Sequence, residues 1–499
     1  MRYKPARQIL LSIFLLSFLS SCAPAVTLPP PQPATETPPP PAPTEAVSPL
    51  EPIPTLELAT PTPPPMRTKY IIDALINYDA HTVSAEQVIQ YQNLTGGPLE
   101  ALVIAVVPNL WTGSFKLDGV SISGETINTY SLNGQRMDIS LPSSVPAGEV
   151  VEVGIRYSLS LPFAEQEDPS ISRPRIYGYT SRQINLVNWY PFVVPFINGE
   201  WTLHDPWFYG EHLVYDAADY EVTVRFADPA NAPIVAASGA PEPVGDATRY
   251  TITAARTFAL AASREFQVAS LQVGDVALSS YYFPLNERGG QGALQASAEA
   301  VQVFSQRFGP YPHKSLAIVM GDFNDGMEYS AFFYLSKDFY NLYDGTPANY
   351  LTFVAVHETA HQWWFEQVAS DQATQPWVDE SLSTYSERIY YESMYPDLVS
   401  WWWTYRIDFY QPQGFVDIPI YEGQGFRPYT NATYFQGALF LEKLRVRIGD
   451  EAFFTFLQNY LDQGRGKIVT ANDFFRILRL HTNADISDLI SQYFRGVYP

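Results

Sequence analysis

Two histidines and a glutamate stand at a spacing that suits metal chemistry. In the segment His357-Glu358-Thr359-Ala360-His361 the histidines are four residues apart within a strongly helical pattern. Residues four apart share one face of a helix, so both imidazoles can bind the same ion. Glu358 is turned about 100° from His357, where its carboxylate can accept a proton from water that the ion activates. The pattern therefore predicts a zinc-binding helix with Glu358 as general base.

A third ligand is expected on the next helix. Glu380 follows His361 with eighteen residues between them, and a loop of that length lets an antiparallel helix bring its carboxylate opposite the histidines. Three protein ligands and one open position are typical of catalytic zinc. We therefore predict one Zn²⁺ per chain, held by His357, His361 and Glu380, with a chance pair of helical histidines as the alternative. Glu387, two turns after Glu380, either orients a ligand histidine or lies in solvent.

Further motifs around these two helices resemble one known family. Besides the zinc helix and the eighteen-residue spacing, four segments carry the likeness: Gln362-Trp363-Trp364, Gly326-Met327-Glu328-Tyr329, Phe308-Gly309-Pro310-Tyr311-Pro312 and Tyr434-Phe435-Gln436-Gly437-Ala438. Together they resemble the gluzincin aminopeptidases, typified by aminopeptidase N and the leukotriene hydrolases. The likeness is dense from Phe304 to Glu451 and weaker before that range.

The resemblance implies roles for residues that their spacing alone does not single out. Glu328, where the family has its exopeptidase motif, would bind the free α-amine of a peptide, and Gly326 and Met327 would belong to the same site. A carboxylate one residue away from the scissile carbonyl selects peptides that begin there. Tyr434 would donate a hydrogen bond to the oxyanion of the tetrahedral intermediate. The implied activity is removal of N-terminal residues from peptides with a free N-terminus.

Two other functions stay open at this point. Asp325 stands where the family usually has a glycine, and a disturbed amine site would leave a zinc endopeptidase of the same fold. A non-catalytic, peptide-binding lipoprotein would keep the fold and lose the base or a metal ligand. This chain retains Glu358 and all three predicted ligands, which favours a hydrolase.

The elements that must position these residues follow from the hydrophobic pattern. Its helical period predicts helices over 294–308, 352–368, 379–395, 434–448, 451–461, 471–480 and 486–494, and a short strand over 316–320. From residue 67 to 265, apolar and polar residues alternate in short runs between turn residues, which is typical of strands. We expect an α+β multidomain fold: an all-β, sandwich-like domain over 67–270, then a mostly helical catalytic domain over 271–499, thermolysin-like by the family resemblance.

The first residues resemble the signal peptide of a bacterial lipoprotein. A basic start precedes an apolar run over 9–18, and the segment ends at Ser20-Ser21-Cys22. We expect residues 1–21 to be removed and Cys22 to carry a lipid anchor, with an ordinary secretory signal as the alternative. Residues 22–66 hold seventeen of the 42 prolines, which is typical of a semi-rigid linker. The catalytic part is therefore expected outside the cytoplasm, attached to the bacterial cell membrane.

The charge of the chain argues against nucleic acid as a partner. Acidic residues outnumber basic ones by 52 to 30, and the formal net charge at pH 7 is −22. Binding to nucleic acid requires clustered Lys and Arg side chains that neutralise phosphates. The partners expected are peptide substrates and, through the anchor at Cys22, a membrane.

Overall fold

The alternating runs of the N-terminal part form strands, as their pattern predicts. The structure, a computed structural model, describes residues 66–164, 176–324 and 326–498. The expectations for the signal peptide, Cys22, the linker and Asp325 lie outside these residues. The strands before residue 265 are Thr68–Asn77 (β1), Thr82–Gln92 (β2), Leu99–Ala105 (β3), Phe115–Ile122 (β4), Glu125–Ile127 (β5), Tyr130–Asn133 (β6), Arg136–Val145 (β7), Val150–Ser160 (β8), Gly178–Tyr179 (β9), Ile184–Leu186 (β10), Phe192–Val193 (β11), Phe196–Ile197 (β12), Glu200–Trp201 (β13), Ala218–Phe226 (β14), Ile234–Ala237 (β15), Ala240–Val244 (β16), Ala247–Ala255 (β17) and Leu260–Ser263 (β18).

An eight-stranded sheet dominates this part, in the order β16-β17-β14-β1-β2-β8-β4-β5. Its ladders are antiparallel except that β1 and β14 run parallel. Alternate residues of β1, from Tyr70 to Ile76, are buried, because successive side chains of a strand point to opposite faces and one face meets the core. Two four-stranded sheets, β15-β18-β10-β9 and β11-β3-β7-β6, accompany it.

The second part begins with strands and continues mainly as helices. Its strands are Gln267–Val273 (β19), Val276–Tyr282 (β20), Ser315–Met320 (β21), Met327–Tyr329 (β22), Phe332–Leu335 (β23), Ala369–Ser370 (β24) and Ile468–Val469 (β25). Its α-helices are Glu287–Arg307 (α1), Lys337–Asn341 (α2), Tyr350–Trp364 (α3), Trp377–Met394 (α4), Val399–Trp402 (α5), Phe426–Thr430 (α6), Gly437–Ile448 (α7), Asp450–Gly464 (α8), Ala471–Leu478 (α9) and Ser487–Tyr493 (α10). Two π-helical turns, Trp403–Ile407 and Asn431–Gln436, extend α5 and precede α7.

A five-stranded sheet, β19-β20-β21-β23-β22, lies beside α1, and β22 forms its edge. Helix α3 packs between α1 and α4, so the segment with the two histidines lies inside the helical layer. The sheet-rich first part and the helical second part confirm the expected α+β fold class. The domain boundary at residue 270 stays a prediction, since residues 63–499 form one compact unit.

Two helices differ from their predicted extents for identifiable reasons. Helix α1 begins at Glu287, before the predicted 294, because Gly289 and Gly290 pack against tyrosines instead of ending the helix. A Cβ atom at residue 290 would lie 2.1 Å from the ring of Tyr282. The helix predicted over 434–448 is α-helical from Gly437 and has a π-helical turn before it.

Among the described residues, no helix combines the length and the hydrophobicity needed to cross a membrane.

Candidate active site

Helix α3 carries the two predicted histidine ligands and the predicted base. The side chain of Asn349 caps its first turn by accepting a hydrogen bond from the backbone nitrogen of Thr352 at 3.0 Å. The ring centroids of His357 and His361 lie 4.7 Å apart on one face of the helix. Both side chains are buried, so the helix presents two imidazoles to an enclosed space.

The third predicted ligand, Glu380, comes from the first turn of α4. Its Oε2 lies 3.2 Å from Nε2 of His357 and 3.6 Å from Nε2 of His361. The dipole of α4 also favours a carboxylate at this end of the helix. One donor atom from each of the three residues lies within 4.8 Å of the other two. The structure therefore brings the three predicted ligands together at a spacing that suits one ion.

Hydrogen bonds at the outer nitrogens determine which atom of each histidine faces Glu380. Nδ1 of His357 lies 2.9 Å from Oε1 of Glu387, and Nδ1 of His361 lies 2.7 Å from Oδ1 of Asp379. A carboxylate at Nδ1 keeps the proton there, which leaves Nε2 of both rings as electron-pair donors toward a metal. Of the two alternatives for Glu387, orienting a ligand histidine or lying in solvent, its position corresponds to the first.

Arg406 and Trp402 hold Glu387 in position. The guanidinium donates from Nε to Oε2 at 2.9 Å and from Nη2 to Oε1 at 2.7 Å, and Nε1 of Trp402 donates to Oε2 at 2.9 Å. Arg406 also lies over the rings of Phe353 and Phe435, 4.7 and 5.2 Å from their centroids. Although burial opposes ionisation, Arg406 and the histidine keep the pKa of Glu387 below its usual range. The histidine therefore faces a carboxylate.

Burial shifts the pKa values of the three predicted ligands and of Asp379. It lowers the pKa of His357 and His361 and raises the pKa of Asp379 and Glu380 well above their usual range. Such desolvated groups gain from a cation, because its positive charge restores the ionised carboxylate. Two neutral imidazoles and one carboxylate at this spacing are a donor set of the kind that Zn²⁺ prefers. The residues present fit the predicted zinc ion.

Glu328, the predicted amine-binding residue, lies on the edge strand β22 beside one of the histidines. Donor atoms of Glu328, His361 and Asp379 form a second group within 4.8 Å of one another. Gln372 connects the two carboxyl groups, because its Nε2 donates to Oε1 of Glu328 at 3.1 Å and to Oδ2 of Asp379 at 2.7 Å. Burial raises the pKa of Glu328 well above its usual range. A carboxyl oxygen of Glu328 thus lies within 4.8 Å of a ring nitrogen of the predicted ligand His361.

Gly326 and Met327 come immediately before Glu328, at the predicted substrate site. A Cβ atom at residue 326 would lie 2.9 Å from Oε1 of Glu358, so a glycine lets this segment pass close to the predicted base. Met327 is half-buried and lines a cavity together with Glu328. The predicted base and the predicted substrate site are therefore neighbours.

Tyr434 reaches the site from the π-helical turn Asn431–Gln436. Its ring stacks on that of His357, with centroids 5.9 Å apart and planes at 8°. Burial and the nearby carboxyl group of Glu380 raise the pKa of the tyrosine hydroxyl well above its usual range. The hydroxyl therefore keeps its proton at neutral pH and remains a hydrogen-bond donor.

A close approach between α7 and α4 brings this tyrosine toward the metal ligands. A Cβ atom on Gly437 would lie 1.8 Å from Oγ of Ser381, a distance that no side chain tolerates. The same Oγ donates a hydrogen bond to the backbone oxygen of Thr433 at 2.6 Å. The position of Tyr434 relative to Glu380 thus depends on a glycine and a serine that face each other.

Four residues near the site were not singled out in the sequence: Glu211, Gln372, Asp379 and Arg406. Glu211, from the sheet-rich part, is an electrostatic neighbour of both Glu328 and Glu380. Asp379 carries a usable signal, because it directly precedes Glu380 and successive helical residues diverge by about 100°. The other three carry no local signal, because tertiary packing brings them to the site.

Comparison with known sequences identifies the domain that holds this site. Residues 293–493 match the sequence model of the Peptidase family M1 domain. Aminopeptidase 2 of Candida albicans is 21% identical over 238 residues, which are 44% of this chain and 26% of that protein. Aminopeptidase M1-D of Oryza sativa subsp. japonica is 21% identical over 220 residues, which are 41% of this chain and 25% of that protein. The matches span about a quarter of these curated relatives.

Solved structures share the fold over nearly the whole described chain. The M1 zinc metallopeptidase from Deinococcus radiodurans is 18% identical, with a TM-score of 0.62, and the match covers 87% of this chain and 95% of that one. A mutant of that protein bound to a Tyr-Ser-Ala substrate is 19% identical, with the same TM-score and coverage. Zinc is the metal that this family implies, and His357, His361 and Glu380 are the group that can hold it. Residues 293–493 therefore match the domain of peptidase family M1, which confirms the resemblance to the gluzincin aminopeptidases.

Proposed function

We propose that this chain is a zinc aminopeptidase that removes the first residue from peptides with a free N-terminus. The observation that carries the proposal is the position of Glu328. Its buried carboxyl group shares a 4.8 Å cluster with the metal-site histidine His361. A cationic α-amine bound there would place the first peptide carbonyl at the metal site, because one residue separates the amine from that carbonyl.

The side chains around this carbonyl supply the proton transfers. When bound, zinc supplies Lewis-acid polarisation and makes water more acidic. The carboxylate of Glu358 accepts the proton of the attacking water and passes it to the nitrogen of the leaving peptide. The hydroxyl of Tyr434, which keeps its proton, donates a hydrogen bond to the carbonyl oxygen as negative charge develops on it. One peptide bond and one water molecule thus yield an amino acid and a shortened peptide.

Two buried carboxylates orient the ligand histidines. Asp379 and Glu387 hold the protons of the two Nδ1 atoms, so both Nε2 atoms face the space beside Glu380. Such outer partners fix the tautomer and the ring orientation of a metal ligand.

A pair of substrates tests the aminopeptidase function directly. We expect Leu-Ala-Ala to be cleaved after its first residue and N-acetyl-Leu-Ala-Ala to resist, because acetylation removes the cation that pairs with Glu328. Glu328→Gln should raise KM for the free peptide and reduce the discrimination between the two. Equal cleavage of both peptides by the parent protein would instead assign an endopeptidase.

A zinc measurement separates this enzyme from a binding protein of the same fold. The parent protein should contain one zinc per chain and lose activity when a chelator removes it. Absence of bound zinc, or equal turnover by Glu358→Gln, would refute the mechanism. Binding of peptides without any turnover would assign the non-catalytic alternative.

We also propose that the enzyme acts outside the cytoplasm, attached to a bacterial membrane through lipid on Cys22. The support is the basic start, the apolar run over 9–18 and the cysteine that ends the segment, together with the proline-rich residues 22–66 that would separate anchor and enzyme. Membrane fractionation of cells that express the full chain tests this, with Cys22→Ala as the control. Equal release of both proteins in soluble form would contradict the anchor.

A further inference from the structure

A cavity of about 270 Å³ lies directly beside the predicted metal site, and Glu328 and Gln372 form part of its wall. Glu328 also belongs to the group of donor atoms around His361. A peptide whose α-amine contacts Glu328 would therefore have its first side chain at the mouth of this cavity.

Aromatic rings make up much of the wall. Trp111 and Tyr177 lie with ring centroids 5.1 Å apart, and Tyr215 and Phe365 lie 6.2 Å apart. The hydroxyl of Tyr177 is hydrogen-bonded to Oγ of Ser114 at 2.9 Å. Because that polar end is already paired, this tyrosine contributes mainly its ring to the cavity. Stacked and edge-on rings of this kind favour apolar and aromatic partners.

The charges of the wall are gathered at one end. Glu211 and Glu328 are the acidic side chains among the described lining residues, and no Lys or Arg lines the cavity there. Glu211 is an electrostatic neighbour of Glu328 and of Glu380, so both acids lie toward the metal site, where the α-amine would bind. Apart from His212, the other described lining residues carry no carboxyl, ammonium or guanidinium group that could pair with a charged side chain extending past them, and burying an unpaired charge is costly.

We propose that this cavity binds the side chain of the substrate's first residue and that the enzyme prefers a large apolar or aromatic residue there. The proposal rests on the aminopeptidase function proposed above. The volume agrees with it, since an apolar protein cavity of roughly 150 Å³ already takes up benzene, and 270 Å³ has room for a phenyl or an indole group. A methyl group would leave most of the cavity unfilled and would bury little apolar area.

A series of aminoacyl coumarin amides tests the preference. We expect kcat/KM for the Phe and Leu substrates to exceed that for the Ala substrate by at least about 10-fold, and the Arg and Glu substrates to be no better than Ala. Equal values across the series, or the highest value for Arg, would overturn the proposal. Turnover without the apolar preference would refute this inference alone, whereas absence of turnover by the zinc-loaded protein would refute the aminopeptidase function itself.

Two variants connect the preference to the cavity. Val187→Phe places a ring in the cavity, since Val187 is buried in its wall, and should lower the ratio of the Phe to the Ala kcat/KM about 10-fold. Trp111→Ala removes a half-buried ring and should also lower that ratio, so the test does not depend on one variant folding. Val446→Phe, at a position 78% exposed, is the matched control and should leave the ratio unchanged. An unchanged ratio in folded, zinc-loaded forms of both cavity variants would overturn the assignment.

Discussion

Removing the guanidinium that holds Glu387 should weaken zinc binding although Arg406 touches no metal ligand. The side chain of Glu387 has no exposed surface, and that of Arg406 is 14% exposed. Replacing one partner of a buried ion pair leaves the other charge unpaired, which costs about 3–5 kcal/mol. Because Trp402 and His357 still hydrogen-bond to Glu387, we expect Arg406→Met to lose about 3 kcal/mol of unfolding free energy, the lower end of that range.

The effect on the metal follows from the same contacts. Without Arg406, Glu387 loses the contacts that fix it against Nδ1 of His357, and loss of such an outer partner typically weakens metal affinity by about 10–100-fold. Competition with a chromogenic chelator measures the zinc affinity, and urea unfolding of the zinc-free protein measures the stability. Arg406→Lys keeps a positive charge but loses the two-pronged contact, so both of its values should lie between parent and Arg406→Met.

A surface arginine provides the control for this experiment. Arg447 pairs with Asp488 at 2.8 Å, and the two side chains are 37% and 63% exposed. Solvent screens exposed pairs, so they contribute little to stability, and Arg447→Met should change stability little and zinc affinity not at all. The reasoning fails if Arg406→Met loses stability as expected but binds zinc as tightly as the parent protein, because Glu387 would then support the fold without orienting the ligand.

Three further outcomes are expected at the site. Glu358→Gln should retain zinc and lower kcat by about 10²–10⁴-fold, because a carboxamide cannot accept the proton; zinc content and initial rates on one preparation check this. Tyr434→Phe should lower kcat by about 10²–10³-fold with little change in KM, and a raised KM at constant kcat would show ground-state binding instead. Zinc should raise the unfolding temperature, and this increase should become larger as pH rises above 4.5. Burial raises the pKa of Glu380 above that usual value, so the zinc-free protein loses stability as pH rises toward the raised pKa, whereas bound zinc keeps the carboxylate ionised. An increase in unfolding temperature that does not depend on pH would contradict this.

The metal ligands could be predicted from the sequence because their geometry is local. A separation of four residues places His357 and His361 on one helical face whatever surrounds the helix. The position of Glu380 required only a second helix after a loop, and the hydrophobic pattern indicated that helix too. The same reasoning located Glu387 two turns further on, although it could not choose between solvent and a histidine.

The partners of these ligands could not be predicted, because tertiary packing brings them together. Arg406 reaches Glu387 from a π-helical turn, which has no sequence signature comparable to that of an α-helix. Gln372 lies in the loop between α3 and α4, and its two hydrogen bonds depend on how that loop packs. The early start of α1 was missed for a similar reason, since Gly289 and Gly290 act through the tyrosines they contact rather than through helix propensity.

The close contact between Gly437 and Ser381 couples the side-chain sizes that these two positions can hold. Any atom added at one must be removed at the other, since a Cβ on residue 437 would overlap Oγ of Ser381. Homologous chains should therefore show correlated substitution here, with a larger residue at one position accompanied by a smaller one at the other. A Gly437→Ala substitution alone would move the Tyr434 hydroxyl without contacting a metal ligand. Natural variation at this contact between α4 and α7 can therefore change turnover while the metal content stays constant.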